Sequence, residues 1–154
     1  MSDKNVLIVM CGLPASGKST YSQWLEESGV FKRVCPDLIR KELYGDENIQ
    51  GDGNKVFSIA HERIQVYGTF GDNVVFDATS IDRRTRIKLV EEMRPHFDII
   101  ICKYFSTPLY ICKIRNEQRE RQVPYEVLES MERRFRTPTV DEGFDLVEEI
   151  KNYY

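Results

Sequence analysis

The chain has 154 residues, which is close to the commonest size of one domain and long enough to bury a stable core. Its hydrophobic content of 41% and charged content of 31% are ordinary for a globular domain and exclude disordered and fibrous classes. The net charge of −3 argues against a protein that coats duplex nucleic acid, although it is compatible with a local basic pocket. We therefore expect a single domain over residues 1–154.

The cysteines and the short apolar runs indicate in which cellular compartment the protein is expected. The four cysteines lack metal or redox spacing, and three of them lie in apolar runs: Cys11, Cys35, Cys102 and Cys112. The longest apolar runs, residues 6–11 and 99–102, are too short to cross a membrane, and the N-terminus lacks the pattern of a signal peptide. These features predict a reducing, cytoplasmic location without a membrane partner.

Apolar runs alternate with helical patterns along the chain. The first half predicts, in order, a strand at 6–11, a helix after a glycine-rich turn, a strand at 31–35, a helix begun by Pro36 and a helix at 54–69. The second half predicts a strand at 73–76, a helix at 83–93, a strand at 97–104, a helix to about 120 that Thr107 and Pro108 cap and begin, and a helix at 124–135. Wholly apolar strands are buried on both faces, so the pattern predicts an α/β three-layer sandwich with a parallel sheet.

The glycine-rich turn after the first strand is the most specific motif. Residues 12–19 read GLPASGKS and match G-x-x-x-x-G-K-[ST], the phosphate-binding loop (P-loop) of nucleoside triphosphatases, at every fixed position. Backbone amides of such a loop wrap phosphates, the lysine neutralises the β- and γ-phosphates, and the last hydroxyl coordinates Mg²⁺. The motif predicts ATP and Mg²⁺ as cofactors, Ser19 as the metal ligand, Lys18 as catalytic, and nucleotide contacts from Gly12, Ala15, Ser16, Gly17, Lys18, Ser19 and Thr20.

A P-loop alone does not define the reaction. A GTPase would need a guanine-reading N-K-x-D motif, and the pair Asn54-Lys55 is followed by Val56 and Phe57 within a helical pattern. Mechanical ATPases usually have a larger core, whereas kinases for small or polynucleotide acceptors are built at this size. A kinase-type P-loop fold is therefore the favoured interpretation.

Two carboxylates lie near predicted strand ends, where ligands of open α/β sheets bind. Asp37 and Arg40 stand three residues apart on one helix face near a strand end, so Asp37 is a candidate base with Arg40 beside it. Asp77 follows the strand 73–76 and, with Thr79, is a candidate acceptor contact or metal ligand. The spacing equally allows a simple Asp37–Arg40 ion pair, and Asp77 as a helix cap.

An arginine-rich segment precedes Val123 and Pro124. Arg115 and Arg119 are predicted to lie four residues apart on one helix, where they repel unless an anion lies near them, and Arg121 extends the cluster. This favours a lid around residues 115–124 that closes on the transferring phosphoryl group. A solvated basic face is the alternative.

Taken together, these motifs resemble the kinase domain of the 5′-polynucleotide kinase family, found in phage end-healing enzymes and in animal and bacterial repair enzymes. The resemblance runs from about residue 6 to 150 and rests on the P-loop, on Asp37-x-x-Arg40, on residues 75–79 and on Arg115-Asn116 with Arg119. It implies ATP-dependent phosphorylation of 5′-hydroxyl ends of DNA or RNA. The implied roles are general base for Asp37, acceptor-phosphate binding for Arg40, transition-state stabilisation for Arg119, nucleotide contact for Arg115, and an acceptor or metal site for Asp77.

Two alternatives stay open at this point. Related P-loop kinases phosphorylate sugars, antibiotics or peptidoglycan precursors with a similar loop and carboxylate, so a small-molecule hydroxyl is the second candidate acceptor. A nucleotide-binding interaction domain without turnover is the third interpretation, although neither the loop lysine nor the candidate base is missing. No D-x-D-G-T phosphatase motif occurs in the sequence, and the sequence does not set the oligomeric state.

Overall fold

A computed structural model describes residues 4–151 of the chain. Five strands form one sheet: β1 (Val6–Cys11), β2 (Phe31–Val34), β3 (Asn73–Phe76), β4 (Ile99–Phe105) and β5 (Leu146–Ile150). Six α-helices connect them: α1 (Lys18–Glu27), α2 (Pro36–Tyr44), α3 (Gly53–Thr69), α4 (Arg83–Met93), α5 (Leu109–Glu117) and α6 (Tyr125–Arg134). Within the described residues, no helix is both long enough and apolar enough to span a membrane.

The sheet is parallel throughout, with the strand order β2-β3-β1-β4-β5. Alternate residues of β1 enter two different cores, which explains why this strand is wholly apolar. Leu7 and Val9 pack with α3 and α4 on one face, whereas Ile8 and Met10 pack with α1 on the other. The predicted three-layer α/β sandwich is therefore confirmed.

The strand order places the candidate site. Connections from β1 and from β3 leave toward opposite sides of the sheet, which opens a crevice at their carboxyl ends. The P-loop follows β1 and Asp77 follows β3, so both lie at this crevice. The helix that carries Asp37 begins directly after β2, at the same edge.

Elements β4, α5 and β5 differ from the predictions. The strand predicted at 97–104 is β4, shifted to Ile99–Phe105, and the helix predicted to reach about residue 120 ends at Glu117. Strand β5 was not predicted, because only Val147 and Ile150 of its residues are even partly buried and the strand exists through pairing with β4. All four cysteines are buried and unpaired, and burial raises the pKa of Cys35 to about 11.

Candidate active site

The P-loop backbone is shaped to receive an anion. Gly12 N donates to Thr79 O at 3.0 Å, which ties the start of the loop to the chain after β3. Gly17, with a φ of 106°, turns the chain into α1, whose first amides have no intrahelical acceptor. Ala15 also has a positive φ, 64°, as strained residues at binding loops often do. The result is a concave row of amides at a helix N-terminus, which suits a phosphate group.

Close packing at the loop leaves one polar atom without a partner. A Cβ at Gly12 would lie 2.9 Å from Ser16 Oγ and 3.1 Å from Phe105 Cβ, so only glycine fits there. The Ser16 hydroxyl is buried and has no hydrogen-bond partner among residues 4–151. Because buried polar groups are rarely left unsatisfied, this hydroxyl fits a site that a ligand oxygen completes.

Lys18 lies inside the loop, only 6% exposed, and its Nζ donates to Leu13 O at 2.8 Å. Burial lowers the pKa of this ammonium below its ordinary value, the nearby Asp77 carboxylate counteracts the shift, and Arg119 adds to it. A buried cation whose charge is incompletely balanced favours binding of an anion. The loop therefore fits the triphosphate that the motif predicts.

A second segment closes on the loop from the α5 side. Thr107 was predicted as a helix cap, and this is wrong: its hydroxyl donates to Ser16 O at 2.8 Å, and Pro108 occupies the cap position. Arg115 Nη1 lies 3.4 Å from the same carbonyl oxygen.

The predicted nucleotide contacts Ser19 and Thr20 are exposed in the first turn of α1. The Ser19 hydroxyl is thus accessible to a metal ion.

Asp77 is buried in an ion pair. Its Oδ2 accepts hydrogen bonds from Ser22 Oγ at 2.8 Å and from Arg33 Nη2 at 2.7 Å, and Arg33 Nε donates to Ser22 Oγ at 2.8 Å. The Arg33 and Asp77 side chains are 6% and 4% exposed. The cap of α4 is Asp82 instead. One Asp77 oxygen thus joins α1 and β2 to the chain after β3. The role of Asp77 as a metal ligand or acceptor contact stays a prediction.

This arrangement predicts that Asp77→Asn destabilises the protein by about 3 kcal/mol, because Arg33 is left as a buried charge without a counter-ion. Urea unfolding measures the effect, and Glu148→Gln, which removes the exposed partner of Lys103, serves as the control with little change. If Asp77→Asn keeps normal stability but loses Mg²⁺-dependent activity, the carboxylate is a metal ligand and this account of it is wrong.

The predicted Asp37–Arg40 pair is assembled at the start of α2. Arg40 Nη1 donates to Asp37 Oδ1 at 2.8 Å, and the guanidinium lies 5.9 Å from the centroid of the Phe57 ring. Arg40 is nearly buried, with 12% of its side chain exposed, and its buried Nε has no partner among residues 4–151. Asp37 is 40% exposed at the crevice. The pair therefore presents a partly exposed carboxylate beside a cation whose Nε is unpartnered among the described residues.

A closed loop, residues 118–123, carries the candidate lid arginines. The Asn116 side chain accepts from Val123 N at 2.9 Å and donates to Val123 O at 2.7 Å, which holds the two ends of the loop together. This clamp draws the chain out of helical geometry after Glu117. The prediction that Arg115 and Arg119 share one helix is therefore wrong, because Arg119 lies in the loop.

Arg121, in the 118–123 loop, contacts the Asp37–Arg40 pair through Asp37. Its Nη1 lies 3.3 Å from Asp37 Oδ2, its Nε donates to Asn48 Oδ1 at 2.8 Å, and Glu47 lies 3.7 Å away. Arg119, two residues earlier, is near enough to Lys18 to act on its pKa. The loop thus carries Arg121 in contact with Asp37, and Arg119 close enough to Lys18 to affect its pKa.

A buried ion pair stabilises the segment that holds the start of the P-loop. Arg86 Nε donates to Glu142 Oε1 at 2.6 Å, both side chains are 0% exposed, and Arg86 Nη1 donates to Ser80 O at 2.7 Å. Ser80 follows Thr79, whose carbonyl holds Gly12. Arg86 and Glu142 therefore position the chain that fixes the P-loop entry.

Comparison with known families bears on this geometry. The model of the family AAA_33, described as an AAA domain, matches residues 7–138 of the chain. The chain belongs to this family. This AAA domain is 29% identical to the L-seryl-tRNA(Sec) kinase of Methanococcus maripaludis, over 92% of the chain and 56% of that protein. It is 26% identical to the bifunctional polynucleotide phosphatase/kinase of Schizosaccharomyces pombe, over 97% of the chain and 34% of that protein. The chain thus spans between a third and somewhat over half of these curated relatives.

Solved structures share the fold of this AAA domain. A chain in the Pnkp1/Rnl/Hen1 RNA repair complex superposes with a TM-score of 0.77 at 20% identity, covering 87% of this chain and 45% of that one. A gluconokinase from Sinorhizobium meliloti gives a TM-score of 0.65 at 18% identity, covering 98% and 84%. The kinase-type P-loop fold is therefore confirmed, as is the resemblance to polynucleotide kinases, whereas the neighbours include kinases of different acceptors.

Several residues that build the site were missed as functional candidates. Arg33 and Ser22 lie on separate elements and carry no motif, and Arg86 and Glu142 are 56 residues apart in sequence. Arg121 was noted only as part of a basic cluster. Its partner Asp37 is 84 residues away, so only the fold reveals the contact.

Proposed function

We propose that this AAA domain transfers the γ-phosphoryl group of ATP to the 5′-hydroxyl of a nucleic acid end. The observation that carries the proposal is the Asp37–Arg40 pair at the carboxyl edge of the sheet, the edge at which the P-loop also lies. Asp37 supplies an accessible carboxylate for a hydroxyl proton, and Arg40 is a nearly buried cation that donates to Asp37 alone among the described residues. An acceptor that carries both a hydroxyl and a phosphate complements this pair better than a neutral sugar does.

The protein groups have separate parts in the reaction. The P-loop amides and Lys18 bind and orient the triphosphate. Asp37 accepts the proton of the acceptor hydroxyl while the hydroxyl oxygen bonds to the γ-phosphorus and ADP departs. Arg119, carried by the 118–123 loop as a lid, balances charge on the transferring group. Mg²⁺, held by the Ser19 hydroxyl, would supply further charge neutralisation between the phosphates.

The polynucleotide phosphatase/kinase among the relatives supports this choice of acceptor. That relative is 26% identical to this chain, whereas the relative at 29% identity is a kinase of L-seryl-tRNA(Sec), a different acceptor. The gluconokinase shares the fold at lower identity, and a small-molecule hydroxyl is the alternative acceptor. DNA and RNA ends present the same 5′-hydroxyl, and the proposal covers both.

Arg40→Ala is expected to separate these acceptors. If Arg40 binds the phosphate on the 3′ side of the acceptor nucleoside, wild type should use a nucleoside 3′-monophosphate far better than the bare nucleoside. The variant should lose about ten- to a hundredfold in kcat/KM for the phosphorylated acceptor and little for the bare one, because one charge-assisted contact is lost. Steady-state kinetics with both acceptors measure the ratio.

Arg63→Ala is the matched control, since it removes an exposed arginine that links α3 to Glu42 of α2. Equal losses for both acceptors in Arg40→Ala would mean that Arg40 orients Asp37 instead. Activity of wild type on a sugar or antibiotic, with neither nucleoside accepted, would replace the proposal by the small-molecule alternative.

A further inference from the structure

Arg121 contacts the carboxylate of Asp37, the proposed base for the acceptor hydroxyl. Its Nη1 lies 3.3 Å from Asp37 Oδ2, while Arg40 takes Oδ1 at 2.8 Å, so both oxygens of Asp37 face guanidinium groups. The Arg121 side chain is 21% exposed, and that of Asp37 is 40% exposed. The contact therefore lies at the mouth of the site, where an incoming acceptor meets it first.

The two contacts of Asp37 differ in how easily they exchange. The Arg40 contact is short and lies within α2, whereas the Arg121 contact is longer and joins a loop to a helix. Arg121 also has a second anchor, because its Nε donates to Asn48 Oδ1 at 2.8 Å and Glu47 lies 3.7 Å from it. If Nη1 leaves Asp37, these anchors keep the guanidinium at the acceptor mouth.

The loop that carries Arg121 is held at its base. The Asn116 clamp on Val123 fixes where the loop starts and ends. A shift of the Arg121 side chain from Asp37 to a neighbouring anion thus requires no refolding of the segment. The electrostatic exchange is favourable, because an arginine pairs bidentately with a phosphate, whereas here Arg121 makes long contacts of 3.3 Å with Asp37 and 3.7 Å with Glu47.

On the basis of the proposed function, we propose that Arg121 is a specificity-determining residue. Its guanidinium stays bound to Asp37 until a phosphate group of the acceptor binds the guanidinium instead. Water carries no phosphate and cannot displace Arg121. Without acceptor, Asp37 is therefore withheld from the competing reaction, in which it takes a proton from water, the water oxygen bonds to the γ-phosphorus, and ADP and inorganic phosphate leave. An acceptor with a nearby phosphate releases the base for its own hydroxyl.

The test is ATP hydrolysis by the full chain without acceptor. Arg121→Ala should hydrolyse ATP about tenfold faster than wild type, the effect of one lost charge-assisted contact, and Arg121→Lys should stay closer to wild type. A 5′-deoxynucleoside 3′-monophosphate offers the phosphate but no acceptor hydroxyl. This compound should raise the rate of ATP hydrolysis by wild type about tenfold, and it should leave the hydrolysis rate of Arg121→Ala unchanged.

Arg94→Ala is the matched control, because it removes an arginine paired with the exposed Asp145 at the opposite edge of the sheet and should hydrolyse ATP as wild type does. Unchanged or slower hydrolysis in Arg121→Ala overturns the inference, and slower hydrolysis would make Arg121 an anchor of the lid. These outcomes leave the proposed function standing if wild type still phosphorylates 5′-hydroxyl ends. If it does not, faster hydrolysis in Arg121→Ala upholds the role of Arg121 toward another anionic acceptor.

Discussion

Lys18→Met is expected to lower the rate of phosphoryl transfer about a thousandfold, the scale of losing a fixed charge that stabilises the transition state. The Lys18 ammonium is the buried cation inside the P-loop, 6% exposed, and methionine fills similar space without charge. Lys18→Ala should show the same loss. Single-turnover transfer from ATP measures the rate, and Lys88→Met, at an exposed position of α4, is the control that should keep wild-type activity.

The same substitution is expected to stabilise the nucleotide-free protein by about 1 kcal/mol near neutral pH, because an incompletely balanced buried charge is replaced by an apolar side chain. Burial lowers the pKa of Lys18 in the folded protein below its ordinary value of 10.5. The unfolded chain therefore binds this proton more tightly, and wild-type stability should rise with pH between the lowered value and 10.5. The advantage of Lys18→Met should shrink over that window.

Urea unfolding of wild type and Lys18→Met across this pH range measures both effects. A folded Lys18→Met variant with near-normal transfer kinetics would contradict the kinase proposal. A variant less stable than wild type at neutral pH would show that the contact of Nζ with Leu13 O outweighs the burial of the charge.

Asp37→Asn is expected to lower the transfer rate about a hundredfold or more while ATP affinity stays unchanged, because the amide keeps the shape but cannot accept a proton. Asp37 lies at the start of α2, and its side-chain contacts are with Arg40 and Arg121 rather than with the P-loop. Transfer kinetics and nucleotide titration separate the two quantities. Glu42→Gln, an exposed carboxylate on the same helix, is the control.

An equal loss of ATP affinity in Asp37→Asn would assign the carboxylate to the nucleotide or metal site and remove it as the base. A rate within a few-fold of wild type would mean that another group accepts the proton. Either result would leave the P-loop account in place, since that account depends on residues 12–19 and not on α2.

The parts of the fold that the sequence predicted are those with a local signal. Strand β1 is wholly apolar because both of its faces are buried, and the P-loop is a contiguous motif whose glycines are required by close packing and positive φ. Pro36 begins α2 because its missing N–H costs nothing in a first turn. Such features depend on neighbours in sequence and can be inferred without the fold.

The parts that escaped prediction depend on contacts between distant residues. Strand β5 is mostly exposed and acidic, and its pairing with β4 defines it. The end of α5 is set by the Asn116 clamp on Val123 rather than by a glycine or proline. Arg33, which neutralises Asp77, reads in sequence as an ordinary strand residue. In each case the deciding energy comes from tertiary contact, which local propensity does not encode.

The most direct test of the proposed function is transfer of the labelled γ-phosphate of ATP to a 5′-hydroxyl oligonucleotide, with a 5′-phosphorylated strand and gluconate as parallel acceptors. We expect label at the 5′ end of the hydroxyl strand, none on the other two acceptors, and loss of transfer in Lys18→Met. Label on gluconate or another small hydroxyl, with none on the oligonucleotide by folded wild-type protein, would contradict the account.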